Sequence, residues 1–335
     1  MSPRPPWRLA GALALTLALL AGCGSSTASP GAAGSEGAAE TRVFKADNGD
    51  ITIPVNPKRV IATGYAVPVL IEAGASLVGI STWQRGVPLM TDADRATYEK
   101  LTKVAGETAA ETNYEAVAAA KPDLIVIGVP KPVLADVDMK RLASIAPTIH
   151  IGPTVPDAWR ELSRRQSDAA GRLSYFEAEK AAYEKKAGEL AEKYRDALKG
   201  VKFGHVGSYG DVAKGTFHRE YAHSWGTNIA QDIGVTYYGE VKEKGGGGKD
   251  VAEYSAIEEL PDSLGEADAI TYSVQPDGTP NAAIKHVLES KLWPSLPAVK
   301  AGRAFPLRYT EAATYRSATK TLDAIDQALA PLLKP

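Results

Sequence analysis

One cysteine stands in 335 residues, at position 23. Beyond it the chain has no thiol, so it forms no disulfide and offers no thiolate as nucleophile or metal ligand. Histidine is scarce as well: His150, His205, His218, His223 and His286 are the whole set. His218 and His223 stand five apart, with no helical pair and no His-rich tract, so a resident metal is not expected. Neither sign of charge dominates. Lys and Arg number 38 against 40 Asp and Glu, a net charge of −2, which gives no basic field for nucleic acid. Catalytic signatures are missing too. There is no Gly-x-Ser-x-Gly elbow, no His-Glu-x-x-His and no Gly-x-Gly-x-x-Gly after the first strand. The glycine run at 245–248 has no strand leading into it and no Lys-Ser/Thr at phosphate-loop spacing. An enzyme is therefore not expected. A single long apolar run exists, at residues 9–20, too short for the roughly 20 residues that cross a bilayer.

That run opens the positive evidence. Arg4 and Arg8 precede it, and it ends in Leu20-Ala21-Gly22-Cys23. A basic start, a short apolar stretch and a small-residue cleavage site make a secretory signal over 1–22. The cut would leave Cys23 first, which resembles a bacterial lipoprotein signal whose thiol carries lipid. The chain is then expected on the outer face of the cytoplasmic membrane, at a cell surface or in a periplasm, anchored at Cys23. Residues 23–42 are mostly small and polar and read as a flexible tether.

From residue 43 onward short apolar strands alternate with helices. Strands are expected at 60–63, 77–80, 124–127 and 148–151, with helices near 67–73, 114–120 and 136–145. A second series has strands at 201–206, 269–274 and 303–307, and helices at 224–233, 255–264, 282–289 and 312–333. Between them Leu162, Ala169, Leu173, Phe176, Tyr183, Ala187, Leu190 and Tyr194 lie three, four or seven apart, one apolar stripe of a helix over 157–199. Asp157 is its expected N-cap, and Gly171 and Gly188 are its weak points. The fold class is α/β: two Rossmann-like lobes, 43–156 and 200–335, with mostly parallel sheets, joined by one long helix, a ligand cleft between them.

Three features resemble the iron-siderophore and cobalamin class of ABC-transporter substrate-binding lipoproteins. They are Pro57-Lys-Arg-Val-Ile-Ala62 with the helix that follows, Asn113-Tyr-Glu115 running into Lys121-Pro-Asp-Leu124, and the long helix between α/β lobes. The resemblance implies a ferric siderophore as ligand, with haem, cobalamin or a catecholate complex as alternatives, and delivery to the permease of an ABC importer. It also implies one docking glutamate on each lobe. The first matches Glu115; the second lies among Glu253, Glu258 and Glu259, with Glu258 the best fit. A monomer without a cofactor of its own is expected, iron arriving inside the ligand.

Ligands of open α/β sheets sit beyond the carboxyl ends of strands. That rule nominates Tyr65, Trp83, Gln84, Arg85, Pro130 and Lys131 in the first lobe, and Ser208, Tyr209, Tyr272, Arg308 and Tyr309 in the second. The segment 216–225, read as a loop, adds Arg219, Tyr221 and Trp225. Aromatic faces suit the apolar parts of a chelate, and Arg or Lys its metal-bound oxygens. Aromatics and cations are about equal in number here, which favours a weakly charged hydroxamate complex.

Overall fold

Apolar runs without alternation are strands buried on both faces. In the computed structural model, which describes residues 40–333, the run Leu124–Gly128 is such a strand. Leu124 and Val126 enter one core, with Val60, Leu70 and Ile80; Ile125 and Ile127 enter another, with Val104, Val117 and Leu142. Cys23, the signal segment and most of the tether lie outside the described residues.

The chain opens with a hairpin, β1 (Thr41–Ala46) and β2 (Gly49–Pro54), paired antiparallel. The first lobe then builds a five-stranded sheet from β3 (Val60–Gly64), β4 (Leu77–Ser81), β5 (Lys103–Ala105), β6 (Leu124–Gly128) and β7 (Thr148–His150). Its order is β5-β4-β3-β6-β7, and every pairing is parallel. The chain winds outward from β3 first to one side and then, from β6, to the other. The crevice where this direction switches is the place α/β sheets offer a ligand. Gly64 and Gly128 meet there. Gly64 has φ +57°, and a Cβ on it would stand 2.8 Å from the Gly128 carbonyl oxygen, so the turn that delivers Tyr65 requires glycine.

The second lobe has β8 (Lys202–Gly207), β9 (Thr216–Glu220), β10 (Thr236–Tyr237), β11 (Ala252–Ala256), β12 (Ala269–Ser273) and β13 (Ala304–Leu307). The order is β11-β9-β8-β12-β13, with β10 beside β8. This sheet is mixed: β8, β10, β12 and β13 are parallel, whereas β9 runs antiparallel to β8 and to β11. The segment read as a loop at 216–225 thus begins as a strand. The helix expected at 255–264 is a strand end, a 3₁₀ turn at Ile257–Glu259 and one helical turn, Leu260–Leu264.

The connecting helix is broken where its glycine is. Helix Trp159–Ala169 ends at Ala170, Gly171 takes φ +67°, and helix Leu173–Leu198 follows. Gly188 lies inside the second piece without interrupting it. The 26 residues of that piece are about 39 Å long at 1.5 Å per residue. Asp157 does not cap the first piece; it sits in the turn Pro156–Ala158, and its Oδ2 meets His223 Nδ1 at 2.7 Å. The final helix, Tyr315–Leu329, lies along Leu173–Leu198. Tyr183, Leu190 and Tyr194 of the latter share a core with Tyr315, Leu322 and Ile325.

Candidate ligand cleft

The parallel strands of both lobes end at one crevice. Tyr65 follows β3, Trp83 and Arg85 follow β4, and Pro130 and Pro132 follow β6. Facing them, Ser208 and Tyr209 follow β8, Val274 and Gln275 follow β12, and Tyr309, Thr310 and Glu311 follow β13. Two cavities open between these ends. The first, about 460 Å³, lies between Arg85–Leu89 and the ends of β8, β12 and β13. The second, about 450 Å³, lies between Tyr65, Pro130 and 153–156 on one side and His218, Trp225 and Tyr254 on the other. Tyr209 lines both.

Aromatic rings organise the crevice. Tyr65 stacks on Trp225 across the lobes at 5.8 Å with the planes 6° apart, and meets Trp83 edge-on at 4.8 Å. The Arg85 guanidinium lies 4.7 Å from the Tyr65 ring centre and 4.1 Å from that of Trp83. Such cation–π contacts hold a flexible arginine at the rim without neutralising it. On the far wall, His218 stacks on Tyr254 at 4.9 Å and takes Tyr209 edge-on at 5.7 Å. Tyr254 is 57% exposed and lines the second cavity. Tyr309 holds φ +62°, a conformation bulky residues rarely take, with its carbonyl accepting from Thr321 Oγ1 at 2.6 Å.

Titratable groups lie in and behind the second lobe's wall. Glu220 is fully buried and accepts the Gly226 N–H at 2.6 Å; burial pushes its carboxyl up to about 7. His218 Nδ1 faces Glu220 Oε1 at 3.3 Å, and burial lowers the imidazole to about 4, so it is neutral at pH 7. Tyr209 donates its hydroxyl to Glu311, and burial of that hydroxyl together with the adjacent carboxylate keeps it protonated.

The expected site residues divide. Tyr65, Arg85, Tyr209, Trp225 and Tyr309 line the crevice, and Trp83 supports it from beneath. Lys131 is exposed beside Pro130 and Pro132, whose rings line the second cavity, without lining it itself. Four residues do not reach the crevice. Arg219 is 0% exposed and donates to the carbonyls of His205, Glu220 and Tyr238 at 3.3, 2.6 and 3.0 Å. Tyr221 lies against that guanidinium and donates to Glu253 Oε1 at 2.5 Å. Tyr272 belongs to β12 itself, so its side chain packs into the outer core, edge-on to Trp293. Arg308 turns to the final helix and donates to Gln327 Oε1 at 2.6 Å.

No family model matches the chain. Similar proteins are the iron(3+)-hydroxamate-binding proteins YxeB and FhuD of Bacillus subtilis. YxeB is 26% identical over 304 residues, 89% of this chain and 87% of its own length. FhuD is 27% identical over 296 residues, 88% of this chain and 87% of its own length. The solved siderophore periplasmic binding protein from the fuscachelin gene cluster of Thermobifida fusca is 30% identical, with a TM-score of 0.68, over 83% of this chain and 98% of that one. This chain belongs to the siderophore periplasmic binding proteins. The FhuD protein of S. pseudintermedius, 21% identical over 88% of this chain and 98% of its own, shares the fold with a TM-score of 0.62.

Within this family member, several cleft residues escape a reading based on strand ends. His218 and Tyr254 sit on the antiparallel strands β9 and β11, Glu311 follows β13 by four residues, and Gly246, Gly247 and Gly248 bring backbone to the second cavity. Only the aromatic richness of 216–225 pointed to that wall. The docking candidates also separate. Glu115 lies in the first turn of Tyr114–Ala119, capped by Asn113, with its side chain 90% exposed. Glu253 is engaged by Tyr221 and the Lys242 N–H, and Glu259 by Lys242 Nζ at 2.6 Å. Glu258 is exposed between them.

Proposed function

We propose that the protein captures a ferric siderophore of hydroxamate type in the interlobe crevice and delivers it to an ABC importer. The charge of the walls carries the choice of chelate. The two cavities are lined by aromatic and neutral polar groups with two cations, Arg85 and Lys249, and one anion, Glu311. A strongly anionic catecholate complex would lose its hydration there without enough positive partners. A neutral or weakly charged hydroxamate complex would not. Its apolar linkers would cover Trp225, Tyr254 and Tyr65, and its oxygens would take the Arg85 hydrogen bonds. The test is tryptophan quenching by ferric and iron-free hydroxamate chelators beside a ferric catecholate, haem and cobalamin. Tight quenching by a ferric hydroxamate, weakened about tenfold or more in Trp225→Ala, is the expected result. A response to a catecholate, haem or cobalamin alone would overturn the ligand.

The same reading gives the exposed carboxylates of Glu115 and Glu258 to basic residues of the permease. Glu258 is favoured over Glu253 and Glu259 because their carboxylates already have partners. The Glu115→Ala, Glu258→Ala double variant should lose uptake while keeping ligand affinity; normal uptake would refute the assignment. Attachment through lipid at Cys23 completes the proposal. Membrane fractionation of Cys23→Ala tests it, retention in the membrane counting against it. We propose that the protein works as a monomer, since the crevice draws both its walls from one chain; sedimentation of the purified protein checks this.

A further inference from the structure

The first cavity holds a carboxylate that the capture of a neutral chelate does not use. Glu311 is half-buried in its wall, and its hydrogen bond is the one accepted from the Tyr209 hydroxyl. A carboxylate offers about four lone-pair sites, so most of this one's capacity is open. No ion pair reaches it among the described residues: Arg85, the other charged group of this cavity, lies over Tyr65 and Trp83. Behind the wall stands the carboxyl of Glu220, close enough that Glu311 raises its proton affinity. The rest of the lining adds acceptors rather than cations, among them Ser208, Ser273, Gln275 and Thr310. Gln275 is exposed at the rim.

A neutral ligand filling this cavity would strip water from Glu311 and give nothing back. An uncompensated charge removed from water is costly. A ligand bearing a positive group reverses the sign of that effect. Tyr209 strengthens the case. Its proton is directed at Glu311, because a carboxylate accepts, and this leaves the phenolic oxygen with capacity to accept a hydrogen bond. An ammonium with three donors would meet a carboxylate oxygen, the Tyr209 oxygen and a neutral acceptor.

We propose that the preferred ligand is a ferric chelate with a cationic arm, which enters the first cavity and is received by Glu311 and Tyr209 while the chelate core lies against the aromatic walls. Glu311 is thereby the residue that sets specificity among hydroxamate complexes. The inference rests on the hydroxamate reading above.

A pair of chelates that differ at one group separates the two. One is a linear ferric trihydroxamate ending in a primary amine; the other is the same complex with the amine acetylated. In fluorescence titrations the amine form should bind about tenfold more tightly, the size of one charge-assisted hydrogen bond. The preference should collapse toward one in Glu311→Gln and persist in Glu311→Asp. It should also shrink as salt is raised, since the site is open to solvent. Tight and equal binding of both forms by the native protein would overturn the cationic arm and leave hydroxamate capture standing. A preference undiminished in Glu311→Gln would overturn the role of Glu311. Failure of both forms, with quenching by a catecholate complex, would overturn the hydroxamate reading and this inference with it.

Discussion

At Arg219 a guanidinium is committed to the protein's own backbone. Three carbonyls take its hydrogen bonds, the rings of Tyr221 and Tyr238 lie 4.5 and 5.2 Å away, and no part of it meets solvent. Arg85 has the opposite situation: exposed, over two rings, with its hydrogen-bonding capacity open to the crevice. The same residue type therefore carries two different consequences. Arg219→Met would take hydrogen bonds from the buried carbonyls of His205 and Glu220 and the part-buried one of Tyr238, a loss of about 3 kcal/mol of stability. Arg85→Ala would remove an exposed cation–π contact, under about 1 kcal/mol, but weaken capture of the ferric ligand. Urea unfolding of both variants, paired with ligand titration, checks this. An Arg219→Met protein of native stability that no longer binds ligand would place Arg219 in the crevice after all.

Two glycines of the connecting helices show how an element is set by single positions. Gly171 separates the pieces at φ +67°, and a Cβ there would stand 3.1 Å from the Val55 carbonyl oxygen. An L side chain is strained in that region by about 1–2 kcal/mol, so Gly171→Ala should destabilise by that amount. Gly188 is inside the helix with nothing within 4 Å of an added Cβ. Gly188→Ala should stabilise by about 0.5–1 kcal/mol, because alanine has the lower cost of helix formation. Denaturation midpoints of the two variants should move in opposite directions; equal shifts would contradict the account. The elements the sequence makes legible are those whose pattern is local. β3, β4, β6 and β7 are β-branched runs between breakers, and the stripe from Leu162 to Tyr194 is helical throughout except at its glycine. β9 is illegible for a physical reason. His218, Arg219 and Glu220 are charged or polar, yet buried, and their partners are Tyr254, Tyr238 and Gly226. Tyr254 and Tyr238 lie outside any local window, so the strand reads as a polar loop. The crevice divides the same way. The strand-end rule finds Tyr65, Arg85, Tyr209 and Tyr309, fails at Tyr272 because that residue is within its strand, and misses the wall built by antiparallel strands.

On the scale of the molecule, the lobes are joined by more than the crevice. Four helices meet beside it: Ala66–Glu72 and Asp92–Lys100 of the first lobe, Leu173–Leu198, and Tyr315–Leu329 of the second. At their junction Thr314 Oγ1 donates to Glu72 Oε1 at 3.0 Å, and Arg316 reaches Asp94 at 3.1 Å and Glu179 at 3.3 Å. One guanidinium thus pairs with two carboxylates and acts on the third carboxyl, Glu72, through its charge alone. Glu72 is half-buried as a residue, and burial is the largest influence on its carboxyl. Desolvation, helped by the charges of Asp94 and Glu179 and opposed by Thr314 and Arg316, pushes it from 4.5 to about 8. Glu72 is therefore a neutral acid at pH 7, and the junction holds two carboxylates against one cation instead of three. Between those two pH values the folded protein binds a proton that the unfolded chain has released. Stability must then fall as pH rises across this window, by roughly 1.4 kcal/mol per pH unit at most. It is fully present below about pH 4.5, and lost once the folded carboxyl ionises near pH 8. Glu72→Gln keeps the hydrogen bond from Thr314 and removes the titration. Chemical denaturation at pH 5, 6.5 and 8.5 should give a variant that gains on the native protein as pH rises, by about 2–4 kcal/mol over the range. A difference between the two proteins that stays constant with pH would mean that Glu72 is ionised in the folded state and that the junction is held by charge pairs alone.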